Sequence, residues 1–237
     1  MKYIYLCLIA FYSSIVFSQT IQLGYDVRHS IDMQNNKRDF ITFSYETYKS
    51  LEYGFLLMKL DADFNGRHNN IGKLYMQISH SLKFWSFPLA LYLEYSGGMG
   101  FIGHTTAGYH ISNSYAIGAA YPFQLMHSWA SMSLAYRYAN LDNASHDLMF
   151  SFWWGKAVHD RIRITAYIVL WTINKNRGDV LTQHLSGKEF SGIGEPQIWF
   201  NINKSFAIGS EVRLYYHVYS YSDSLLVYPT FAIKYEF

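Results

Sequence analysis

Cysteine occurs once in the 237 residues, as Cys7. That excludes an intramolecular disulfide framework, a zinc-thiolate site and any cysteine nucleophile further along the chain. Proline occurs four times and charged residues make up only 15%, against about a quarter in ordinary soluble proteins. A disordered, collagen-like or soluble coiled-coil chain is thereby excluded. A net charge of +2 is too small for the basic footprint of a nucleic-acid binder. What the chain has instead is aromatic residues, 19% of the total, with 22 Tyr and 17 Phe. The composition suggests an aromatic-rich β protein.

The start reads as an export signal. Met1-Lys2 supplies a positive charge, Tyr3 to Phe17 is almost wholly apolar, and Val16-Phe17-Ser18 suits the cleavage subsites before Gln19. The stretch is shorter than the roughly 20 residues of a spanning helix, and Ser13-Ser14 interrupts it. Residues 1–18 are therefore expected to be a signal peptide and 19–237 a single domain, with no linker dividing it.

Beyond that point, apolar and polar residues alternate. Ile21, Leu23, Tyr25 and Val27 interleave with Gln22, Gly24, Asp26 and Arg28, the period of two that gives a strand one apolar face. The same alternation predicts strands at about 20 to 30, 38 to 49, 53 to 64, 72 to 83, 88 to 97, 112 to 122, 129 to 139, 146 to 155, 161 to 173, 195 to 203, 206 to 217 and 225 to 237. These twelve leave about 18 residues per strand and connection, which fits tilted strands with about 9 to 11 membrane-embedded residues plus turns. Connections at 31 to 37, 65 to 71, 98 to 111, 140 to 145, 174 to 194 and 218 to 224 are expected outside, and the shorter ones in the periplasm with both termini.

One face is apolar, as in Leu56, Met58, Leu60 and Ile162, Ile164, Ile168, Leu170. The other carries Asp26, Arg28, Glu46, Lys59, Asp61, Glu94, Arg137, Asp147, Arg163, Glu195, Glu211, Arg213 and Lys234. A soluble barrel shows the same period, so parity alone leaves the inside undecided. Three features favour an apolar outside. Tyr25, Tyr95, Tyr115, Tyr121, Tyr136 and Tyr235 gather toward the ends of apolar faces, where amphipathic rings suit the headgroup boundary. The polar face is rich in small groups such as Gly24, Ser79, Gly118, Ser131, Ser133, Ser151 and Gly209, expected to leave the interior open. The ending Phe231-Ala232-Ile233-Lys234-Tyr235-Glu236-Phe237 resembles the insertion signal of outer-membrane barrels. The expected fold is an all-β, antiparallel, up-and-down transmembrane barrel in the outer membrane of a Gram-negative bacterium.

The run Lys37-Arg38-Asp39-Phe40-Ile41-Thr42-Phe43-Ser44-Tyr45-Glu46-Thr47-Tyr48, followed by Tyr53-Gly54-Phe55 and Asp61-Ala62-Asp63, resembles the second and third strands of the nucleoside-specific channel-forming outer-membrane proteins. Gly194-Glu195-Pro196-Gln197-Ile198-Trp199-Phe200-Asn201 and the ending from Tyr228 resemble a distant branch of the same barrels. The resemblance implies a monomeric twelve-stranded barrel that passes nucleosides. Asp39, Tyr45, Glu46 and Asp61 lie in the resembling stretch.

On physical grounds a lumen of this width admits a small solute through a tight passage. Candidate solute contacts are Glu46, Tyr48, Asp61, Tyr92, Glu94, Arg137, Arg163, Trp171, Trp199, Glu211 and Arg213. Rings stack on a base or sugar face, while carboxylates and guanidiniums bond hydroxyls and ring edges. The same charges could instead brace the wall as a network, because buried charges need partners. The partners expected are outer-membrane lipid and a small solute, without nucleic acid, metal or cofactor. A non-conducting structural or adhesion barrel is the alternative.

A lipid-modifying enzyme is the lower alternative. His110-Ile111-Ser112-Asn113 resembles the His-x-Ser-Asn arrangement of outer-membrane phospholipases, and a base and nucleophile two apart share a strand face. Parity turns His110 and Ser112 toward the lumen, away from lipid. His68, His104, His110, His146 and His184 have no fixed ligand spacing. Gly97-Gly98 with Gly100, Gly103 and Gly108 lacks the strand-loop-helix setting of a phosphate cradle and reads as an external loop.

Overall fold

A computed structural model describes residues 18–34, 36–51, 53–101, 107–218 and 223–237. The expected leader falls on residues that, apart from Ser18, lie outside the described ones. Twelve strands follow one another: β1 (Ser18–Asp26), β2 (Phe40–Leu51), β3 (Gly54–Asp63), β4 (Lys73–Leu82), β5 (Ala90–Phe101), β6 (Gly108–Leu125), β7 (Ser128–Ala139), β8 (Ser145–His159), β9 (Ile162–Asn174), β10 (Lys188–Asn201), β11 (Phe206–Tyr216) and β12 (Leu226–Glu236). Each pairs antiparallel with its sequence neighbour, and β1 pairs with β12, so the sheet closes without an edge. Closure satisfies every wall strand on both sides, which is the condition for strands in hydrocarbon. Among the described residues the only α-helix is a single turn, α1 (Arg28–Ile31), after β1.

Alternation sets the register, because a slip of one residue would turn each apolar side chain inward. Tyr45 lies opposite Leu60 and Ile21, whereas Ser44 lies opposite Asp61 and Gln22. Leu23, Leu134, Ile168, Leu170, Phe231 and Ile233 are exposed on the outside; Gln22, Lys59, Asp61, Glu195, Glu211 and Arg213 are buried inside. An apolar outer surface and a charged interior invert the pattern of a soluble barrel, and only a membrane makes that arrangement favourable. No helix among the described residues is long and apolar enough to cross a membrane; the strands cross it.

Connections are mostly shorter at one end than at the other, 83–89 being the exception. At one end β6 joins β7 through Met126 and His127 alone, both with positive φ, 53° and 60°, the two-residue geometry that follows strand twist. The start of β1 and the end of β12 lie at this short-turn end. The longer connections, including 27–39 and 175–187, lie at the other.

Three expectations are corrected. β5 runs to Phe101 and β6 starts at Gly108, so Gly97, Gly98, Gly100 and Gly108 lie in paired strands and not in a 98 to 111 loop. β10 begins at Lys188, not near 195, because Gly192 and Gly194 stay in the ladder with Leu170 and Ile168. Pro196 is also within the strand, and the ladder to β11 skips from Gly194 opposite Leu214 to Gln197 opposite Glu211, where a missing N–H is tolerated. Nor do the small residues leave the interior open. Ala90, Ala116, Ala120 and Ala135 pack against Tyr92, Met149, Tyr167 and Val169. Gly209, directly opposite Trp199, makes room for the indole: a Cβ there would meet its Cε3 at 2.6 Å.

Candidate functional site: a divided lumen

Across the middle of the barrel, side chains from nearly opposite strands touch. Lys59 Nζ on β3 lies 2.6 Å from Glu195 Oε2 on β10. The amide of Gln77 on β4 donates to Tyr167 Oη on β9 at 3.2 Å and to Glu94 on β5 at 2.9 Å. Tyr92 donates its hydroxyl to the same Glu94 oxygen. These contacts form a polar septum. Lys59 also faces Asp61 at 3.5 Å and Glu46 at 3.9 Å, so one ammonium is shared by three carboxylates.

A charge ladder continues along the wall. Arg213 Nε donates to Glu211 at 2.6 Å, and its terminal nitrogens face Asp61 and Asp63 at 3.8 and 3.6 Å. Lys73 closes on Asp63 at 2.7 Å. Gln22 and Gln197 each donate to Glu211 at 3.2 Å. Partners matter here because an uncompensated charge in this setting is costly.

The septum divides the lumen in two. Toward the long-loop end lies an outer vestibule of about 330 Å³, lined by Asp61, Glu94, Arg137, Trp171 and His110 among others. Toward the short-turn end lies an inner chamber of about 350 Å³, lined by Glu46, Tyr48, Tyr92, Trp129, Trp153 and Arg163 among others. Tyr167 and Glu195 line both. The floor of the inner chamber is aromatic. Trp129 of β7 reaches across to Tyr48 of β2, with ring centroids 6.1 Å apart, and to Phe55 of β3 at 5.9 Å; Tyr48 stacks on Phe55 at 5.4 Å.

The residues singled out from sequence distribute among these parts. Asp61 joins the septum beside Lys59, and Glu94 and Tyr92 join it through Gln77, while Glu211 and Arg213 stand in the adjoining ladder. Glu46, Tyr48 and Arg163 belong to the inner chamber, Arg163 held by Glu236 at 2.9 Å. Arg137 and Trp171 line the outer vestibule, the guanidinium 5.3 Å from the indole centroid and 3.2 Å from Asp147. Trp199 has no exposed surface: it lies beneath Lys234 Nζ, 4.1 Å from the ring centroid, and donates to Gln197 Oε1 at 2.8 Å. It braces the wall and leaves no ring face for a solute. Tyr109, His110, Ile111 and Ser112 all border the outer vestibule, but a register shift in β6 between Ser114 and Ile111 sets His110 opposite the exposed Met99, so the regular alternation expected from sequence does not hold there.

Sequence reading missed Phe55, Trp129 and Trp153. The signal was present: Trp129 shares the parity of Ser131 and Ser133, and Trp153 that of Ser151. Trp153 stacks on Tyr167 with centroids 4.0 Å apart, and both rings project inward from adjacent strands.

Closed wall, apolar exterior and polar lumen define the class: an antiparallel barrel built to sit in a membrane around a solute-sized interior. Residues 18–237 match the family described as Domain of unknown function (DUF5020), and the chain belongs to that family. No curated protein matches the sequence. Its backbone is similar to a loop L8 deletion mutant of OmpT, an outer membrane protein of Vibrio cholerae, with a TM-score of 0.46 and 9% identity over 93% of this chain and 98% of that one. It is also similar to the translocator domain of the autotransporter NalP from Neisseria meningitidis, with a TM-score of 0.42 and 7% identity over 100% of this chain and 94% of that one. The resemblance to nucleoside-specific channels stays a reading of the residues alone.

Proposed function

We propose that the protein is a non-enzymatic barrel of the Gram-negative outer membrane that passes small, largely neutral solutes. Nucleosides are the specific candidate. The observation that carries this reading is the pair of cavities, of about 330 and 350 Å³, that meet at Tyr167 and Glu195 and are separated, among the described residues, by side chains. Side-chain barriers open by rotamer changes, whereas a backbone plug would have to leave the barrel. Long loops face outward, and the start of β1 and the end of β12 face the periplasm, in this orientation. Paired charges of both signs favour neutral solutes, and rings in both cavities offer faces for a base or sugar.

The cross-lumen bonds Lys59–Glu195 and Gln77–Tyr167 also favour a second reading, a non-conducting structural barrel. Liposome swelling separates the two. Vesicles carrying the purified protein should swell in isosmotic uridine or ribose faster than in raffinose. Swelling no faster than that of protein-free vesicles in every solute would favour the structural barrel.

A further inference from the structure

We propose that the inner chamber binds a ring-bearing organic cation, a small molecule with one aromatic face and a protonated amine. The proposal goes beyond the channel reading: it names a ligand held in the inner chamber, not the neutral solutes that pass. It is tested by equilibrium binding, which needs no passage through the septum.

Two walls carry it. The floor and one side are rings, Tyr48, Phe55, Trp129 and Trp153, and a cation is attracted to such faces when water is excluded. The charges lining the chamber are three carboxylates, Glu46, Glu195 and Glu236, against two cations, Arg163 and Lys234. Both cations have local partners: Arg163 faces Glu236 at 2.9 Å, and Lys234 lies 3.8 Å from Glu236 and over the Trp199 ring. Glu195 is taken by Lys59 at 2.6 Å. Glu46 differs. Among the described residues the one cation within 4 Å of it is that same Lys59, at 3.9 Å. Its carboxylate opens into the chamber two residues before Tyr48 on the same face of β2.

An independent feature points to a ligand with a hydrogen-bonding group. Ser81 lines the chamber, is 1% exposed, and its Oγ has no hydrogen-bond partner among the described residues. Buried hydroxyls ordinarily find partners. A chamber of about 350 Å³ has room for a molecule of one or two rings. An amine seated on Glu46 would lay its ring against Tyr48 and Trp129. An anion of the same shape would bring a second negative charge toward Glu46.

Fluorine NMR on the purified full-length protein in detergent tests this with three probes: 4-fluorobenzylamine, 4-fluorobenzyl alcohol and 4-fluorobenzoate at pH 7. The amine should bind about tenfold more tightly than the alcohol, and the benzoate weakest of all. Glu46→Gln should bring the amine to the affinity of the alcohol, while Trp129→Ala should weaken both. Benzoate binding as tightly as the amine, or an amine affinity untouched by Glu46→Gln in a folded barrel, would overturn the proposal. If Glu46→Gln does not fold, the order of the three probes on the unaltered protein decides. Absent amine binding in a barrel that swells vesicles refutes this site and leaves the channel reading standing; amine binding without swelling does the reverse.

Discussion

Lys59 and Glu195 are 136 residues apart in sequence and 2.6 Å apart in the lumen, where they tie β3 to β10 across the barrel. Both are buried, so each depends on the other. Removing the shared cation alone, as in Lys59→Ala, should cost about 3 to 5 kcal/mol, because Glu195 is left with no cation within 4 Å among the described residues. Replacing both by apolar residues of similar volume, Lys59→Met with Glu195→Leu, should cost less, since Glu46 alone then loses its nearby cation. Urea unfolding of the two variants in detergent or lipid vesicles reads the difference. Equal losses would show that the pair is not coupled.

The wall can be probed at one depth. Leu134 and Ser133 are neighbours on β7; Leu134 faces outward, 55% exposed, and Ser133 lines the inner chamber. Leu134→Arg should destabilise the barrel in lipid by about 2 to 4 kcal/mol near the midplane, since the guanidinium enters hydrocarbon. Ser133→Arg should cost less, its side chain ending in the wet chamber. Vesicle-based unfolding compares them, and a larger loss at Ser133 would reverse the two faces.

Topology gives a labelling experiment. Val180, in the 175–187 connection, and Met126, in the two-residue turn, are both well exposed, at 80% and 65%. On intact cells a membrane-impermeant maleimide should modify Val180→Cys and spare Met126→Cys, with both reacting after the outer membrane is opened. The opposite pattern would invert the barrel.

In the 27–39 connection, Asp39 accepts hydrogen bonds from the backbone N–H and the hydroxyl of Ser30. Slight burial works against its ionised form and is outweighed by these bonds, so its pKa lies below the ordinary carboxylate value. A depressed carboxylate stabilises the folded loop at pH above the ordinary value, and that contribution fades as pH falls through the lowered one. Protease cleavage in this connection should therefore be slow at pH 7 and faster near pH 3, with Asp39→Asn cleaved faster already at pH 7. An Asp39→Asn loop as resistant as the unaltered one at pH 7 would remove Asp39 from its support.

Parity made the wall legible. All twelve strands were readable because each alternates over enough residues to expose a period of two. Where β10 starts was obscured by Gly192, Gly194 and Pro196, which signal a loop in isolation but remain paired when two neighbouring strands supply the ladder. The lumen-facing side of Glu46, Asp61, Glu211 and Arg213 followed from the same parity. Their partners did not, since Lys59–Glu195 and Gln77–Tyr167 depend on which strands face one another after closure and on how long side chains bend inside. Trp199 and Trp129 share the same inward parity and differ in fate: a glycine opposite Trp199 lets it lie flat in the wall, whereas Trp129 reaches across to Tyr48.

The claim that the lumen is a solute path closed by side chains is tested most directly by single-channel conductance in planar bilayers. The unaltered protein should show small, brief openings. Lys59→Ser with Glu195→Ser, which removes the principal bond of the septum and one charge of each sign, should give longer and larger ones. A correctly folded double variant that conducts no better than a protein-free membrane would contradict it.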